Sequence, residues 1–178
     1  MVVIPSGASV SKVFAISKYE ITINDYNLYC QASGDCSKKT GSGRLPITDI
    51  SIENAKAYTQ WLSQKTAKNY SLPSSQQWLY AAKSNNKAQY NDVNCRIKFG
   101  SKLLKGKILL AANTGQSNPW GLMNVVGNAR EFVVDGGNTV ARGGAHIDPI
   151  KDCSVNKKLD NIASGDQYTG FRIVRAIN

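Results

Sequence analysis

Histidine is almost absent from this chain, in which His146 is the only one among 178 residues. A Ser-His-Asp catalytic arrangement is therefore excluded unless His146 belongs to it. Cysteine is scarce as well, and the four cysteines form neither a CxxC redox pair nor a paired zinc-ligand spacing. The sequence thus offers little material for the common nucleophilic, dithiol and zinc chemistries.

Long apolar runs are also missing, and none approaches the roughly 18 residues that a membrane-spanning helix needs. The apolar stretch at residues 2–5 is too short and too uncharged for a signal peptide. An apolar content of 42% with 15 glycines is nevertheless typical of a globular protein. We therefore expect one domain over residues 1–178, with any export signal or membrane anchor upstream in a longer protein.

Acidic residues are few, with 12 Asp and Glu against 22 Lys and Arg, which gives a formal charge of +10. One segment, residues 96–107, has no acidic residue and contains Arg96, Lys98, Lys102, Lys105 and Lys107. Such a segment is either a solvated basic surface or a patch for an acidic partner. Nucleic acid is not a predicted partner, since the chain has no RNP-like aromatic motif and no helix-turn-helix pattern.

The four cysteines suggest two disulfides. Cys30 and Cys36 enclose a short polar loop and are spaced for a local disulfide, which leaves Cys95 and Cys153 for a long-range one. An even number of cysteines in a basic, lysine-rich domain suits an oxidising compartment. The alternative is four reduced, buried thiols in a cytosolic protein.

Helix signals occur three times in the first half of the chain. Thr22 and Asp25 stand three residues apart like a capping box, and Gly34 is placed to end that helix. The second helix follows Ser51, with apolar residues at helical spacing. A third helix is predicted to begin at Ser74, three residues before Gln77.

Strand signals are short and scattered. Alternating or apolar patterns predict strands at residues 14–21, 131–134, 139–142 and 171–176. Residues 84–119 show no regular pattern, and a stretch of this length without regular structure is often functional. The sequence therefore predicts a single α+β domain, in which two or three helices pack on short antiparallel strands.

Segments along the whole chain resemble, in order, the formylglycine-generating-enzyme (sulfatase-modifying-factor) family. They are KYEITINDYNLYC, LPITDISIENAKAYTQWLSQKT, YSLPSSQQWLYAAK, NPWGLMNVVGNAREFVVDG, ARGGAH and TGFRIVR. The resemblance implies the family's irregular fold, related to C-type lectins and poor in regular secondary structure. It also implies a bacterial protein that works outside the cytoplasm, in the periplasm or extracellularly.

The family's oxidase holds copper with two cysteines that follow a glycine pair, here Gly143 and Gly144. Cys153 matches the second of those cysteines, but Asp148 stands in place of the first. A carboxylate is a hard ligand that does not replace a thiolate at Cu(I). The family's iron-dependent sulfoxide synthases use three histidines, and this chain has only His146. We therefore expect neither copper nor iron.

Calcium is the cofactor that the resemblance does imply. The family binds it in the segment that matches residues 124–131, which assigns the Asn124 side chain, the Gly127 and Ala129 carbonyls and the Glu131 carboxylate as ligands. Mixed oxygen ligands of this kind suit a hard cation. The alternative is that Asn124 and Asn128 only satisfy tight turns.

The main functional hypothesis is a non-catalytic binding or sensing module. Such domains occur in larger bacterial signalling or secretion-associated proteins, including membrane-anchored serine/threonine kinases. The predicted ligand surface comprises loops at residues 146–152 and 160–168 and the region of Asn138, with His146, Asp148, Lys151 and Asp152 as contact residues. The alternative is a degenerate or altered oxidase in which Cys153 is a reactive thiol, activated in part by Lys151.

Overall fold

The helices of the computed structural model lie where two capping signals and, for the second helix, the apolar spacing place them. The structure describes residues 1–7, 9–160, 162 and 164–177, and within them α1 spans Ile23–Ser33, α2 spans Ile52–Thr66 and α3 spans Ser75–Lys83. Each helix begins with a complete capping box, at Thr22, Ser51 and Ser74 respectively. All three helices of the prediction are therefore confirmed.

The strands are short, none longer than six residues among those described. They are β1 (Val2–Ile4), β2 (Phe14–Ile16), β3 (Tyr70–Ser71), β4 (Ile97–Phe99), β5 (Lys102–Lys105), β6 (Arg130–Asp135), β7 (Asn138–Arg142), β8 (Lys158–Asp160), β9 (Thr169–Gly170) and β10 (Val174–Ala176). A single 3-10 turn at Ile150–Asp152 lies among the described residues. The predicted α+β fold with little regular structure is confirmed.

Three sheets organise these strands. The first has the order β1-β2-β10-β3 and is antiparallel, so it joins both ends of the described chain. The second is the β4–β5 hairpin alone. The third has the order β8-β7-β6-β9, in which β6 and β9 are parallel, a departure from the purely antiparallel strands that the sequence predicts.

Two apolar clusters form most of the core. The first joins α1 and α2 through an aromatic group in which ring centroids lie 5.5–6.3 Å apart: Tyr26, Tyr29, Tyr58, Trp61 and Phe171. The second packs α3 against the first and third sheets around Trp78, which is 1% exposed. Close-packed clusters of this kind give the irregular loops a rigid base. No helix of the described residues is long and apolar enough to cross a membrane.

Two predicted strands are shorter than expected. The first ends at Ile16 instead of Ile21, and the last begins at Val174 instead of Phe171. Arg172 Nη1 donates to the carbonyl oxygens of Ser17 and Lys18, so these carbonyls are not available to a strand ladder, and only single backbone bonds such as Ser17 N–H to the Ile173 carbonyl remain. A buried guanidinium that needs several acceptors thus interrupts the sheet.

Residues 84–119 contain more structure than the sequence pattern indicates. They include the β4–β5 hairpin, closed by the exposed turn residues Gly100 and Ser101. Lysines occupy both of its strands, and lysine is depleted in strands, so the pattern conceals the hairpin. The rest of the segment is held by side-chain bonds such as the one from the Leu110 N–H to Asn128 Oδ1, 2.8 Å.

Candidate functional site

Both predicted disulfides are present. Cys30 is bonded to Cys36 with a Cα–Cα distance of 4.8 Å, and Cys95 to Cys153 with a Cα–Cα distance of 6.5 Å. All four cysteines of the chain are therefore oxidised. In this state Cys153 offers no thiolate, which is the species that a metal or an electrophile would need.

Backbone geometry requires the glycine pair that precedes the loop containing Asp148 and Cys153. Gly143 and Gly144 have φ values of 92° and 77°, in the left-handed region that side chains rarely adopt. A Cβ on Gly143 would lie 2.6 Å from the Val125 carbonyl oxygen, and one on Gly144 would lie 3.1 Å from Cys153 Sγ. The pair thus lets the chain turn tightly beneath the Cys95–Cys153 disulfide.

Asp148 and His146 both make bonds within this turn. Asp148 Oδ2 accepts from the Ala145 N–H at 2.9 Å, while its own N–H donates to the Ala145 carbonyl. His146 is 8% exposed, and its Nδ1 lies 3.2 Å from the Gly106 carbonyl oxygen. A carbonyl only accepts, so we assign the proton to Nδ1. Asp148 therefore holds a loop at the position of the first copper cysteine.

The predicted ligand residues are not all brought together. Lys151 and Asp152 lie in the 3-10 turn beside Asp148, with Lys151 exposed and Asp152 half-buried. Asn138 stands at the far end of β7, about 14 Å from Arg142 if the strand rises by about 3.4 Å per residue. The structure therefore separates Asn138 from the loop that holds the other four.

The loop at residues 160–168 meets the His146 loop through Tyr168. Its ring contacts the His146 ring edge-on, with centroids 5.8 Å apart, and the Arg130 guanidinium carbon lies 5.7 Å from the same ring. Asn161 and Ala163, which belong to the predicted surface, lie outside the described residues. The contact of Tyr168 with His146 and Arg130 was not predicted, because a single aromatic residue in a polar loop gives no sequence signal.

Below these loops lies a fully buried ion pair. Glu131 and Arg172 are both 0% exposed; Arg172 Nε donates to Glu131 Oε2 at 2.7 Å and its Nη2 to Oε1 at 2.8 Å. Trp78 Nε1 also donates to Oε2, at 2.6 Å. Arg142, on β7, donates instead to the Ser75 hydroxyl at 2.8 Å.

A second buried carboxylate, Glu20, lies beside this pair. It is 1% exposed and accepts from the side-chain amides of Asn128 at 2.9 Å and Asn124 at 3.3 Å. Burial raises the pKa of Glu20 to about 8; the charge of Arg172 opposes that rise and the charge of Glu131 adds to it. Glu20 was not predicted, because a lone Glu at the end of a strand pattern is usually a surface residue.

Two asparagines of the predicted calcium segment, Asn124 and Asn128, contact Glu20. Asn124 and Asn128 both have positive φ values, 52° and 60°, as the tight-turn alternative requires. Glu131 already neutralises Arg172, so its own charge is balanced. Glu20 adds a second carboxylate, and one excess negative charge remains when both acids are ionised. Both Glu131 oxygens accept from Arg172, and Asn124 turns its amide nitrogen, not its oxygen, to Glu20.

Two buried polar atoms beside the site have no hydrogen-bond partner among the described residues. They are Arg130 Nε and Thr169 Oγ1, and the two residues are paired across β6 and β9. In the part of the chain that the structure describes, no three His, Cys, Asp or Glu side chains converge as around a transition metal. The polar centre of the molecule is thus built from asparagines, two acids and arginines.

The structure combines three capped helices, short curled sheets, a glycine-pair turn and a buried Glu–Arg pair. Together these features define a distinct class of irregular α+β domain. The family model described as "Sulfatase-modifying factor enzyme 1-like domain" matches residues 5–177. The chain therefore belongs to this family, as its sequence segments suggested. No curated protein matches the sequence.

Solved structures share the fold at low sequence identity. PvdO from Pseudomonas aeruginosa is 20% identical, with a TM-score of 0.78 over 94% of this chain and 82% of its own. CarF is 20% identical, with a TM-score of 0.74 over 93% and 87% of the two chains. The Treponema denticola variable protein 1 is 17% identical, with a TM-score of 0.69 over 99% and 92%. At these identities the likeness extends to the fold alone.

Proposed function

We propose that this domain is a non-catalytic binding or sensing module that works outside the cytoplasm, in the periplasm or at the cell exterior. It would form the recognition part of a larger bacterial signalling or secretion-associated protein, of which a membrane-anchored serine/threonine kinase is one example. The observation that most supports this proposal is the Cys95–Cys153 disulfide. It removes the single thiol that matches the family's copper ligands.

The position of the other copper cysteine supports the same conclusion. Asp148 supplies a hard oxygen ligand there, and its Oδ2 is engaged by the Ala145 N–H. Two soft ligands are thus replaced by one oxidised sulfur and one turn-forming carboxylate. The two disulfides also support an extracytoplasmic location, since disulfides persist in oxidising compartments.

The competing proposal is a thiol-dependent oxidase that uses Cys153. It requires the Cys95–Cys153 bond to be reduced and Lys151 to favour the thiolate. The two proposals therefore differ in the state of one sulfur atom.

Disulfide mapping decides between the binding-module and oxidase proposals. The protein is exported to the periplasm, and copper is measured on the same sample. We expect the Cys95–Cys153 peptide pair, no alkylation of Cys153 in the folded protein, and no bound copper. Cys95→Ser, which frees Cys153, is the positive control for alkylation, and Cys30→Ser is the matched control at the other disulfide. Rapid alkylation of wild-type Cys153, or retained copper, would show that the binding-module proposal is wrong.

The ligand surface needs its own experiment. An array of glycans and peptides is probed with wild-type protein and with Lys151→Ala and Asp152→Ala, which change side chains beside the disulfide loop. Lys68→Ala, at an exposed position after α2, is the control. Ligands that lose affinity for the loop variants but not for the control map the surface. Equal binding by all variants would place recognition elsewhere.

We also propose that the segment from Asn124 to Glu131 holds calcium. The supporting facts are the oxygen donors of the segment and a second buried carboxylate, Glu20, which lies beside Asn124 and supplies negative charge when it is ionised. Calcium should raise the melting temperature over that in chelator, and Asn124→Ala should abolish the difference while Asn124→Asp keeps it. Asn113→Ala, at an exposed asparagine, is the control. Identical melting of wild type with calcium and with chelator would contradict the assignment.

A further inference from the structure

The β4–β5 hairpin exposes apolar side chains that soluble surfaces seldom present together. Phe99 is 79% exposed, the highest value among the large hydrophobic residues described, and Ile108 and Leu104 are 67% and 51% exposed. Exposed apolar side chains are ordinary when scattered singly. Phe99 and Leu104 share one short hairpin, and grouped exposure of this kind marks an interaction surface.

The hairpin register places two apolar side chains and one lysine on one face, while Lys98, opposite Leu103, lies on the other face. Phe99 pairs with Lys102, and Leu104 follows Lys102 by two residues, so these three side chains point to the same side. Leu103 and Lys105, which alternate with them, are half-buried. The outward face of the hairpin thus combines an aromatic, an aliphatic and a lysine side chain.

The 3-10 turn lies beside β4. Arg96 forms an isolated bridge with Pro149, which brings the exposed residues Ile150 and Lys151 alongside the hairpin. A shallow cavity of about 370 Å³ lies between them, lined by Arg96, Ile97, Lys98, Pro149, Ile150 and Lys151. Three basic residues therefore surround a depression whose other walls are apolar.

The basic charge of this surface is largely uncompensated. Asp92 pairs with Lys105, but among the described residues no carboxylate pairs with Lys98, Lys102, Lys107 or Lys151. Lysine stems also cover apolar surface while their charged ends reach outward. The result is a rim of positive charge around exposed apolar side chains.

We propose that this surface, the β4–β5 hairpin with Ile150 and Lys151, binds the face of an anionic lipid bilayer. Phe99, Leu104 and Ile150 would enter the headgroup region, while the lysines contact lipid phosphates. An acidic protein would complement the charge, but the most exposed apolar side chain stands at a hairpin tip, a shape that enters a soft interface. Cys95 precedes Arg96, so its disulfide to Cys153 ties this surface to the proposed ligand loop.

Flotation with vesicles tests the proposal. The full chain is mixed with phosphatidylcholine vesicles, with or without 30 mol% phosphatidylglycerol, at low and high salt. We expect binding only to the anionic vesicles. Lys98→Glu with Lys102→Glu should weaken it about 25-fold or more, at about fivefold for each basic residue near the surface. Phe99→Ala should weaken it about tenfold, because a buried aromatic side chain contributes at least a decade to a partition coefficient.

Matched variants show whether a loss of vesicle binding is specific to this surface or follows from any similar change in charge or hydrophobicity. Lys65→Glu with Lys68→Glu makes the same charge change at exposed positions near the end of α2, and Leu28→Ala removes another exposed apolar side chain, 63% exposed on α1. Both should bind as wild type, and all variants should keep the wild-type melting temperature. A Phe99→Trp variant should gain fluorescence quenching by brominated acyl chains.

The proposal is overturned if anionic vesicles bind no better than neutral ones, or if the hairpin and control variants lose binding equally. Binding of a poly-glutamate peptide without vesicle binding would also overturn it and assign the surface to an acidic protein. Each result is independent of the Cys153 linkage, so the binding-module proposal is judged separately.

Discussion

Arg130 lies in β6, and Arg172 lies between β9 and β10. Both arginines are buried, but they differ in their hydrogen-bond partners. Arg172 makes five hydrogen bonds, two of them to Glu131, whereas Arg130 Nε has none among the described residues. A buried cation with a carboxylate partner contributes to stability only as part of the pair, and an unpaired one costs free energy. The same substitution should therefore have different effects at the two positions.

Arg172→Met should lower the free energy of unfolding by about 3–5 kcal/mol, because it leaves the Glu131 carboxylate buried without its counter-charge. Arg130→Met should leave the free energy of unfolding within about 1 kcal/mol of wild type or raise it, since the lost contact with Tyr168 is worth about that much. Urea unfolding of both variants measures the difference. An equal loss in both variants would mean that Arg130 has a stabilising partner.

Glu20 makes stability depend on pH near neutrality. Its pKa is about 8 in the folded protein, above its ordinary value of 4.5, so the folded state holds a proton that the unfolded chain releases. Its contribution is complete below about pH 4.5 and is lost as the pH rises through 8. The groups that face it are Arg172, Glu131, Asn124 and Asn128.

In the presence of a chelator, the wild-type protein should therefore be more stable at pH 5.5 than at pH 8.5. Each unit of pKa difference corresponds to about 1.4 kcal/mol. Glu20→Gln should flatten this dependence and should raise stability at pH 8.5, since the amide stays neutral. Chemical unfolding across this pH range provides the measurement, and a steeper dependence in the Gln variant would contradict the assignment.

At the scale of elements, the helix starts are the features that local chemistry determines most directly. Ser74 accepts from the Gln77 N–H at 3.0 Å, and the Gln77 side chain accepts from the Ser74 N–H at 2.9 Å. Ser74→Ala should lower the free energy of unfolding by about 1 kcal/mol, because the first turn of α3 loses its acceptor. Ser71→Ala, at an exposed position in β3, should change it by less than about 0.5 kcal/mol.

The first and third helices were predictable because a capping box lies within four residues, and the second because its apolar residues recur at helical spacing. The ends of β2 and β10 were not, because Arg172 takes the Ser17 and Lys18 carbonyls from the ladder across more than 150 residues. The β4–β5 hairpin was concealed by its lysines. Short strands give little periodicity, and tertiary partners then decide where they begin and end.

At the scale of the whole molecule, the two disulfides close loops of very different size. Cys30 and Cys36 are separated by 6 residues, Cys95 and Cys153 by 58. In the chain-entropy model, Cys95→Ala with Cys153→Ala should cost about 4 kcal/mol, and Cys30→Ala with Cys36→Ala about 2 kcal/mol. Thermal unfolding of both double variants tests this order. A larger loss of stability on removing the Cys30–Cys36 disulfide would mean that local packing outweighs the entropy of loop closure.

The sequence by itself determined the family, the three helices and the α+β class, and it suggested the pairing of the cysteines. Each of these depends on short motifs, or on the order of motifs along the chain. Only the tertiary structure showed that Glu20 joins Glu131 and Arg172, that Tyr168 contacts His146, and that Asn138 lies apart from the disulfide loop. These relations join residues from distant segments, and the burial of a side chain is fixed by packing that no short segment encodes.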